Sequence, residues 1–540
     1  MTGMVTVRED ARLLPHARPR EDGTRSEARL LHEFLLAGAW LVPDRTAVYE
    51  LGDDGVPQAL SYRELERRVH ACADLLAPLG LDVGDRVVLE ADTSAHAVAL
   101  LLACSRLGLT FVPVSPETPA RRVAAIVELA EPALFLTTAG TCRIQPPAGM
   151  GTGRFGPGGI ELWTRPRERV RHRRAVVETD PAYIIFTSGT TGRPKGVVMT
   201  QRGIVSYFRM LIADSDIGPD ERVATTAPLQ FDLSLFDIGM ALGSLACCVP
   251  VPRALLRWPR RFLRFLKEMA VTQVNGVPSI WRQVLRHEPD MFADLTDLRA
   301  ILFSGEEFPL PELRRLRELR PGIRVLNSFG HTECMSCSLT EVADPLPAET
   351  VRLSIGTPHP GSEGMLLDAD GRPIEEAGVT GELYLRSPAM FAGYWGDPEA
   401  TAAAQVPDPL NPRSGQPVFR TGDLAYRGAG GELYYCGRKD SQVQLRGNRV
   451  ELGEVETRIE EHPDVAAATA LVLPDATGEQ VLFAFVTGGS GRAEIDARAI
   501  RAFCAETLPD YMIPEEVRIL PEMPLTPNGK VDRAALRERA

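Results

Sequence analysis

The stretch YIIFTSGTTGRPKGVVMTQRGI, residues 183–204, sets the architecture of the chain. Its first four residues, 183–186, form an apolar run typical of a buried strand. The next ten residues, 187–196, contain four hydroxyl side chains and three glycines. Such a loop can turn its backbone N–H groups inward, and with hydroxyls and an ammonium added it suits phosphate oxygens. The segment therefore predicts a strand that ends in a phosphate-binding loop.

The residue order distinguishes this loop from a Walker A loop, which ends in Gly-Lys-Ser/Thr and runs directly into a helix. Here Lys195 follows Pro194 and precedes Gly196 and two valines. A flexible Ser/Thr/Gly linker is the plain alternative, but a linker does not require a lysine in a chain that avoids lysine. Of 60 basic residues, four are lysines: Lys195, Lys267, Lys439 and Lys530. Because an ammonium and a guanidinium do different jobs, each lysine that the chain keeps is a functional candidate.

Composition places the chain among ordinary globular proteins. It has 540 residues, enough for several domains, and a net charge of -12 without a long basic stripe, so we expect no nucleic-acid partner. The first residues lack the apolar core of a signal peptide, and the longest apolar stretch, 240–256, is broken by glycine, prolines and an arginine. No membrane association is expected. Nine scattered cysteines are typical of free thiols in a reducing cytoplasm.

Outward from the phosphate loop, helix and strand patterns alternate from about Leu30 to residue 340. Residues 61–76, for example, place four apolar side chains on one helical face and begin with a capping box of Ser61 and Glu64. This alternation predicts an α/β fold with mainly parallel sheets. We expect residues 1–28 to be a flexible charged tail and residues 29–439 to form a large N-terminal domain.

Three stretches of the sequence differ from this pattern. Strand-like pieces among Gly, Pro and Asp turns in 350–440 predict a small antiparallel or barrel-like unit. The Gly/Pro-rich residues 145–160 indicate a surface loop. Residues 440–540 predict a small α+β domain. Its expected helices and strands are 451–463, 467–474, 481–488 and 496–508.

Six segments, in order, resemble the adenylate-forming superfamily of acyl-CoA synthetases, luciferases and the adenylation domains of nonribosomal peptide synthetases. Besides the loop they are LGLTFVPVSPETPARRV (107–123), FGHTE (329–333), FRTGDL (419–424), GRKDSQVQLRGNRVELGEVE (437–456) and PLTPNGKVDR (524–533). The resemblance covers about Leu30 to Arg533. It implies a large N-terminal domain of α/β sheets and a small mobile α+β C-terminal domain.

The resemblance also implies a two-step reaction. A carboxylate attacks the α-phosphate of ATP, giving an acyl-adenylate and pyrophosphate; a thiol then attacks the adenylate, giving a thioester and AMP. ATP and Mg²⁺ are the implied cofactors. Because the first step brings two anions together, positioning and electrostatics should carry most of the catalysis.

The resemblance assigns three catalytic residues. Lys530 reaches from the small domain and bridges the substrate carboxylate and the phosphate. Thr332 lies near the α-phosphate. Glu333 is the expected Mg²⁺ ligand, since magnesium prefers hard oxygen ligands.

A second set of residues is expected to bind the nucleotide. Phe329 stacks on adenine, Asp423 and Arg438 contact the ribose, and Lys195 holds the β- and γ-phosphates. The full expected set is Thr187, Ser188, Gly189, Thr190, Thr191, Gly192, Lys195, Gly305, Glu306, Glu307, Asn327, Phe329, Gly330, Asp423 and Arg438.

Asp440 matches the hinge about which the small domain of the family rotates between the two half-reactions, and Gly447 then lies on the face presented during thioester formation. The sequence departs from the family pattern at two positions. Gln444 replaces the usual Lys, and His331 stands where peptide-synthetase domains usually have Pro.

Asp232 indicates the substrate class, because it matches the Asp that pairs with the amino group of amino-acid substrates. A carboxylate in an apolar pocket needs a cation, and an ammonium supplies one. An N-cap Asp at the start of a helix is the structural alternative. The remaining expected pocket residues are Leu233, Phe236, Ser279, Leu302, Ser304, Ser328, Ser336 and Cys337. For Cys337 we prefer this pocket role to metal or redox chemistry with Cys334.

The pocket set has no second charged side chain, which favours a small or medium neutral amino acid. Proline-like, alanine-like, serine-like and β-amino acids all stay open. Since no carrier segment follows residue 540, we expect a free-standing enzyme that loads the phosphopantetheine thiol of a separate carrier protein, with coenzyme A as the second choice of acceptor. Two alternative functions remain: an acyl-CoA ligase for a non-amino acid, and a noncatalytic nucleotide- or carrier-binding protein.

Overall fold

The structure is a computed structural model that describes residues 17–19, 25–52, 54–168, 171–173, 175–189, 193–440, 442–475, 478–488, 496–525 and 531–540. Within the predicted N-terminal tail, the strand Ala17–Pro19 pairs antiparallel with the strand Arg25–Glu27. Among the helices of these ranges, none is long and apolar enough to cross a bilayer.

Two eight-stranded sheets form the frame of the large domain, each with parallel central strands and antiparallel outer strands. The first sheet contains, in spatial order, Gly393–Tyr394, Lys195–Thr200, Pro181–Thr187, Thr110–Val114, Arg86–Glu90, Leu134–Thr137, Gly151–Gly156 and Gly159–Thr164. The second contains Met335–Glu341, Arg324–His331, Ala300–Ser304, Gln273–Gly276, Arg222–Thr225, Cys247–Pro250, Thr46–Leu51 and Pro57–Ser61. The predicted α/β fold is confirmed.

The predicted surface loop 145–160 is wrong in its second half. Gly151–Gly156 and Gly159–Thr164 form an antiparallel hairpin at the edge of the first sheet. Glycine occupies the strand here because a Cβ on Gly153 would lie 2.5 Å from the carbonyl oxygen of Glu161. These glycines permit a close approach of two backbones, whereas in the sequence alone they indicate a turn.

A third sheet occupies the region predicted as a small antiparallel or barrel-like unit. Its five strands are Glu363–Leu367, Gly381–Arg386, Pro417–Arg427, Gln405–Pro407 and Leu433–Arg438, all paired antiparallel. The strand Pro417–Arg427 pairs with three of the other four strands. Asp423 and Arg438 are direct partners across its pairing with the last strand, which brings the two predicted ribose ligands together.

The helices of the large domain pack on and between these sheets. They are Leu31–Leu35, Gly38–Leu41, Tyr62–Leu76, Ala95–Leu107, Ala120–Ala130, Gln201–Asp214, Asp232–Gly243, Arg253–Leu256, Pro259–Glu268, Pro278–His287, Pro289–Ala293, Leu310–Leu319 and Pro398–Ala404. The predicted helix after Ser61 is confirmed, with its capping box to Glu64. Helix Asp232–Gly243, called the site helix below, is apolar on all sides and is buried in the main core from Ser234 to Gly243.

The small domain contains the hairpin Gln442–Leu445 and Asn448–Glu451 followed by a three-stranded sheet. The sheet strands are Val465–Pro474, Gln480–Gly488 and Glu516–Leu520, and the helices are Leu452–Glu460, Ala497–Ala505 and Arg533–Arg537. Side chains alternate along the middle strand: Leu482 and Ala484 join the core under the first two helices, whereas Phe483 and Phe485 pack with Leu536 of the last helix. The last helix therefore lies on the opposite face of the sheet.

Candidate active site at the junction of the two domains

A cavity of about 670 Å³ lies between the large domain and the hairpin of the small domain. Three strands end at it: Pro181–Thr187, Ala300–Ser304 and Arg324–His331. These are carboxyl ends of mainly parallel strands, the usual location of ligand sites in α/β proteins. The predicted site residues that line the cavity are Thr187, Ser188, Asp232, Leu233, Phe236, Ser304, Gly305, Glu306, Glu307, Asn327, Ser328, Phe329, Gly330, Thr332, Ser336, Asp423 and Arg438.

Four predicted site residues lie outside the described residues: Thr190, Thr191, Gly192 and Lys530. Three more lie beside the cavity without lining it. Gly189 and Glu333 contact the small domain, and the Lys195 ammonium lies 5.6 Å from the ring centroid of Tyr394.

Three predicted pocket residues are corrected by the structure. Leu302 is fully buried in the core, between Asn275 and Leu326 of neighbouring strands. Ser279 is on the first turn of helix Pro278–His287. The cavity wall contains neither residue.

Cys337 is the third correction. Its thiol donates to the carbonyl of Phe329 at 3.3 Å, away from the cavity, and burial raises the pKa of this thiol to about 12. Cys334 is buried as well, and both cysteines are free. Among the described residues, no three or more Cys, His, Asp or Glu side chains are grouped so as to hold a metal ion. The buried, protonated Cys337 is thus a packing residue.

The predicted ribose ligand Asp423 is buried in a chain of charges. Its Oδ1 accepts from the Arg438 guanidinium at 2.6 Å, and its Oδ2 lies 2.9 Å from Nε2 of His331. The Arg438 guanidinium also donates to both carboxylate oxygens of Asp440, each at 2.7 Å. Burial would raise the pKa of Asp440, but the hydrogen bonds and charge of Arg438 outweigh burial and lower it. Arg438 therefore links Asp423, the predicted ribose ligand, to Asp440, the predicted hinge residue.

Glu333 is completely buried, yet it holds its negative charge. Tyr394 donates to Oε1 at 2.7 Å, and Nη1 of Arg449 lies 2.9 Å from Oε1 and 2.8 Å from Oε2. Burial acts to raise the pKa of Glu333, but the charges of Arg449 and His331 and the Tyr394 hydrogen bond together lower it to about 2. The surroundings of Glu333 therefore stabilise an ionised carboxylate paired with a cation, here Arg449.

The small domain reaches the phosphate loop through contacts that sequence reasoning missed. The Ser188 hydroxyl donates to the carbonyl of Arg449 at 2.9 Å. Glu454 accepts from Arg122 of the large domain at 2.6 Å and from the backbone N–H of Gly189 at 3.2 Å. Both Arg449 and Glu454 stand in the matching segment 437–456, but the sequence gives no sign of which partner each would meet across the domain boundary.

The hairpin of the small domain enters the cavity at Gly447. This residue has a φ of +73°, and a Cβ there would lie 2.1 Å from Cγ1 of Val277. Gly305 of the large domain also has a positive φ, and a Cβ there would lie 3.3 Å from the Cα of Gly447. The two glycines allow the hairpin to approach the large domain more closely than any side chain would permit.

Asp232 is the first residue of the site helix, whose N-cap is Phe231, so Asp232 is not an N-cap. Its Oδ1 accepts from the backbone N–H of Leu233 at 3.0 Å. Burial, together with the nearby charge of Glu333, raises the pKa of Asp232. Within the described part of the chain, no cationic side chain lies within 4.0 Å of this carboxylate, so the cavity contains an acid without its counter-charge.

The cavity residues fit a nucleotide and one metal ion. The buried Oγ of Ser328 lacks a hydrogen-bond partner among the described residues, and Oδ2 of Asp423 has only the ion-pair contact with His331, which leaves polar atoms at the wall for a ligand. Glu333 is fully buried, yet its lowered pKa keeps the carboxylate ionised. One such carboxylate suits Mg²⁺, which takes its other ligands from phosphates and water.

Comparison with known proteins matches both domains. The AMP-binding enzyme family matches residues 39–395, and the AMP-binding enzyme C-terminal domain matches residues 454–530. A curated relative, L-proline–(L-prolyl-carrier protein) ligase of Pseudomonas fluorescens, is 33% identical over 94% of this chain and 99% of its own length. The solved structure of IdnL1 is 55% identical, with a TM-score of 0.86 over 92% of this chain and 100% of that one. PA1221, an NRPS protein containing adenylation and PCP domains, is 26% identical, with a TM-score of 0.77 over 94% of this chain and 84% of that one.

Proposed function

The chain belongs to the AMP-binding enzyme family of adenylate-forming ligases, and from this we propose that it activates a small or medium neutral amino acid. In the proposed reaction the amino acid reacts with ATP to give aminoacyl-AMP and pyrophosphate. Its acyl group is then transferred to the phosphopantetheine thiol of a carrier protein, and AMP is released. The Pseudomonas relative supports this acceptor, since it is named as a ligase for a carrier protein and this chain covers its length.

The observation that carries the proposal is the unpaired carboxylate of Asp232 in the cavity wall. Withdrawing a carboxylate from water without a cation is costly, and burial raises the pKa of the half-buried Asp232. The ammonium group of an amino-acid substrate would remove this free-energy cost by pairing with Asp232. A plain fatty or aryl acid has no positive charge to place there. Phe236 and Leu233 give this part of the cavity apolar walls, which suit an uncharged side chain.

Residues at the other end of the cavity suit the nucleotide. We assign Asp423 and Arg438 to the ribose, Phe329 and Asn327 to the base, and Thr332 to the α-phosphate. Glu333 would hold Mg²⁺, which when bound supplies positive charge to the phosphate oxygens. Lys530 remains the proposed bridge between the two reacting anions, because a single ammonium on a flexible stem can follow both.

The domain arrangement supports a role in the second half-reaction. The hairpin 442–451 lies in the cavity with Gly447 against the large domain. We propose that the chain divides at residue 440 and that Asp440 is the hinge, held here by the paired hydrogen bonds of Arg438. Breaking this pair would free the backbone on either side of Asp440 to rotate. The proposed compartment is the cytoplasm.

The decisive experiment is ATP–pyrophosphate exchange over a panel of α- and β-amino acids and their deamino analogues, with Asp232→Asn beside the wild type. We expect exchange with a neutral amino acid, and at least about a tenfold loss in kcat/KM for Asp232→Asn, because an ammonium then meets an uncharged partner. Full activity of Asp232→Asn, or a preference for the deamino acids, would point to an acyl-CoA ligase for a non-amino acid. Silence of the wild type across the whole panel would favour the noncatalytic alternative.

A further inference from the structure

A hydrogen-bonded chain runs from the protein surface, through a buried histidine, to the predicted substrate end of the cavity, and none of its members belongs to a matching segment. Its members are Asp214, His359 and Ser336. Oδ2 of Asp214 lies 2.7 Å from Nδ1 of His359, and Nε2 of His359 lies 2.9 Å from the Oγ of Ser336. Ser336 lines the cavity, so the chain ends at the cavity wall.

The fold holds the His359 ring in one orientation. The residue has no exposed surface, and the Tyr207 ring stands edge-on to the imidazole at 6.3 Å. Its backbone N–H donates to the carbonyl of Cys337 at 2.8 Å, directly beside Ser336 in the strand Met335–Glu341. Asp214 is the last residue of helix Gln201–Asp214, which packs against this strand. One helix and one strand thus converge on this histidine.

For a neutral His359 ring, the chemistry of the three groups fixes the direction of the hydrogen bonds. An ionised carboxylate only accepts, so the proton of the contact with Asp214 resides on Nδ1 of His359. In the neutral ring Nε2 is then an acceptor, and the Ser336 hydroxyl donates to it. With its one proton committed to His359, the Ser336 oxygen in the cavity wall can act toward a ligand only as an acceptor.

From this geometry we propose that His359, oriented by Asp214, is a positioning residue that makes Ser336 a hydrogen-bond acceptor for the substrate ammonium. The inference rests on the proposed function and deepens it. An ammonium carries three N–H donors. A donor that is buried without a partner is costly, so an acceptor besides the carboxylate of Asp232 improves the binding of an amino acid. The arrangement would select against substrates that lack the amino group.

The same connectivity activates serine nucleophiles in hydrolases. The proposed reaction passes the acyl group from AMP to a thiol and forms no ester with the enzyme, so an orienting role is the one that this reaction can use. Detection by mass spectrometry of an acyl group on Ser336 during turnover would overturn the assignment.

The test uses three variants of the full chain in the exchange assay. His359→Leu removes the acceptor for the Ser336 proton. His359→Gln keeps it, because Asp214 accepts from the amide NH₂ and leaves the amide oxygen toward Ser336. Ser336→Ala removes the hydroxyl itself. The control is His462→Leu, since His462 is a largely buried histidine of the small domain whose Nδ1 lies 3.9 Å from Asp464.

We expect His359→Leu and Ser336→Ala each to raise KM for the amino acid about tenfold or more, with a smaller change in kcat. The inhibition constant of the deamino analogue should move less than about twofold, since this ligand lacks the donor. His359→Gln should stay near the wild type, and His359→Leu should add nothing in the Ser336→Ala background, as coupled residues do. Equal losses for the amino acid and its deamino analogue, or additive losses in the double variant, would overturn the proposal.

A second measurement does not depend on activity, and its wild-type part needs no variant. Nitrogen-15 NMR of the wild type, labelled at histidine, reports which ring nitrogen carries the proton. We expect a protonated Nδ1 and an unprotonated Nε2 for His359, and loss of that preference in Asp214→Ala. A proton on Nε2 in the wild type contradicts the inference. If this tautomer is found but no amino acid supports exchange, the proposed function fails instead.

Discussion

Nη1 of Arg449 lies 2.9 Å and 2.8 Å from the two carboxylate oxygens of Glu333, so a residue of the small domain neutralises the proposed metal ligand of the large domain. The pair is buried, and the pKa of Arg449 is raised because the charge of Glu333 outweighs the effect of burial. One carboxylate cannot hold this guanidinium and a Mg²⁺ ion in the same place. The position of the small domain and the metal site are therefore coupled through a single buried acid.

The first prediction follows from this coupling. In Arg449→Gln, the cation that competes with Mg²⁺ for Glu333 is removed. We therefore expect the Mg²⁺ concentration that gives half-maximal exchange to fall about tenfold, a size typical of buried charge-pair energies. The small domain should also dock less firmly, which limited trypsin digestion at the hinge would show. Arg446→Gln is the control, because Arg446 lies on the same hairpin but pairs with the half-exposed Glu515. Identical Mg²⁺ dependence in the two variants would contradict the coupling.

Gly447 provides a test that separates the two half-reactions. A Cβ at this residue would lie 2.1 Å from Val277, and its φ of +73° strains any other residue. In Gly447→Ala we expect thioester formation to fall at least about tenfold, while exchange stays close to the wild type. Gly478→Ala is matched to it, because Gly478 also has a positive φ, of +83°, but a Cβ there meets no atom within 4 Å. A parallel loss of both half-reactions in Gly447→Ala would mean that the glycine serves folding rather than docking.

Lys530 is the third target. The change Lys530→Arg keeps the charge but replaces a compact ammonium by a planar fork, which fits two converging anions less well. We expect exchange to slow by about a hundredfold, the scale of a small misplacement of a catalytic group. Lys267→Arg, on helix Pro259–Glu268, should be silent. Near-normal exchange by Lys530→Arg would remove the argument that lysines are retained for chemistry.

Asp237 gives a prediction about stability and pH. It is fully buried in the site helix, and burial raises its pKa from 3.8 to about 8, with the hydrogen bond that Asn275 donates at 2.9 Å acting in the opposite direction. The native state therefore keeps a proton that the unfolded chain loses above pH 3.8. The stability that protonated Asp237 contributes to the folded state is fully present below pH 3.8. It is lost as the pH rises toward 8, at up to about 1.4 kcal/mol per pH unit.

Asp237→Asn should remove this dependence, since an amide does not titrate and can still accept from Asn275. We expect the melting temperature of the variant to exceed that of the wild type by a margin that grows from pH 5 to pH 8. The exposed Asp44→Asn should give the same curve as the wild type. A constant difference between Asp237→Asn and the wild type across this range would show that Asp237 is ionised in the folded protein.

Much of the fold was predictable because its information is local. The apolar run before the phosphate loop, the capping box at Ser61 and the alternation of helices and strands each depend on neighbours in the chain. The hairpin Gly151–Gly156 with Gly159–Thr164 was not predictable, because its glycines serve contact with a partner backbone that the local pattern does not reveal.

The candidate site divides in the same way. The sequence by itself determined the family, the order of the motifs and most of the residues in or beside the cavity wall, such as Asp232 and Asp423 in the wall and Glu333 beside it, because reaction chemistry dictates their type and spacing. Tertiary structure alone decided the partners: Arg449 on Glu333, Glu454 on Arg122, and His359 between Asp214 and Ser336. These pairs join residues separated by more than a hundred positions, or by elements that meet only after the sheets have assembled. The partner of a buried polar or charged group sets the direction of its hydrogen bond and its free-energy cost. That partner comes from a distant segment, so it cannot be read from one segment of the sequence.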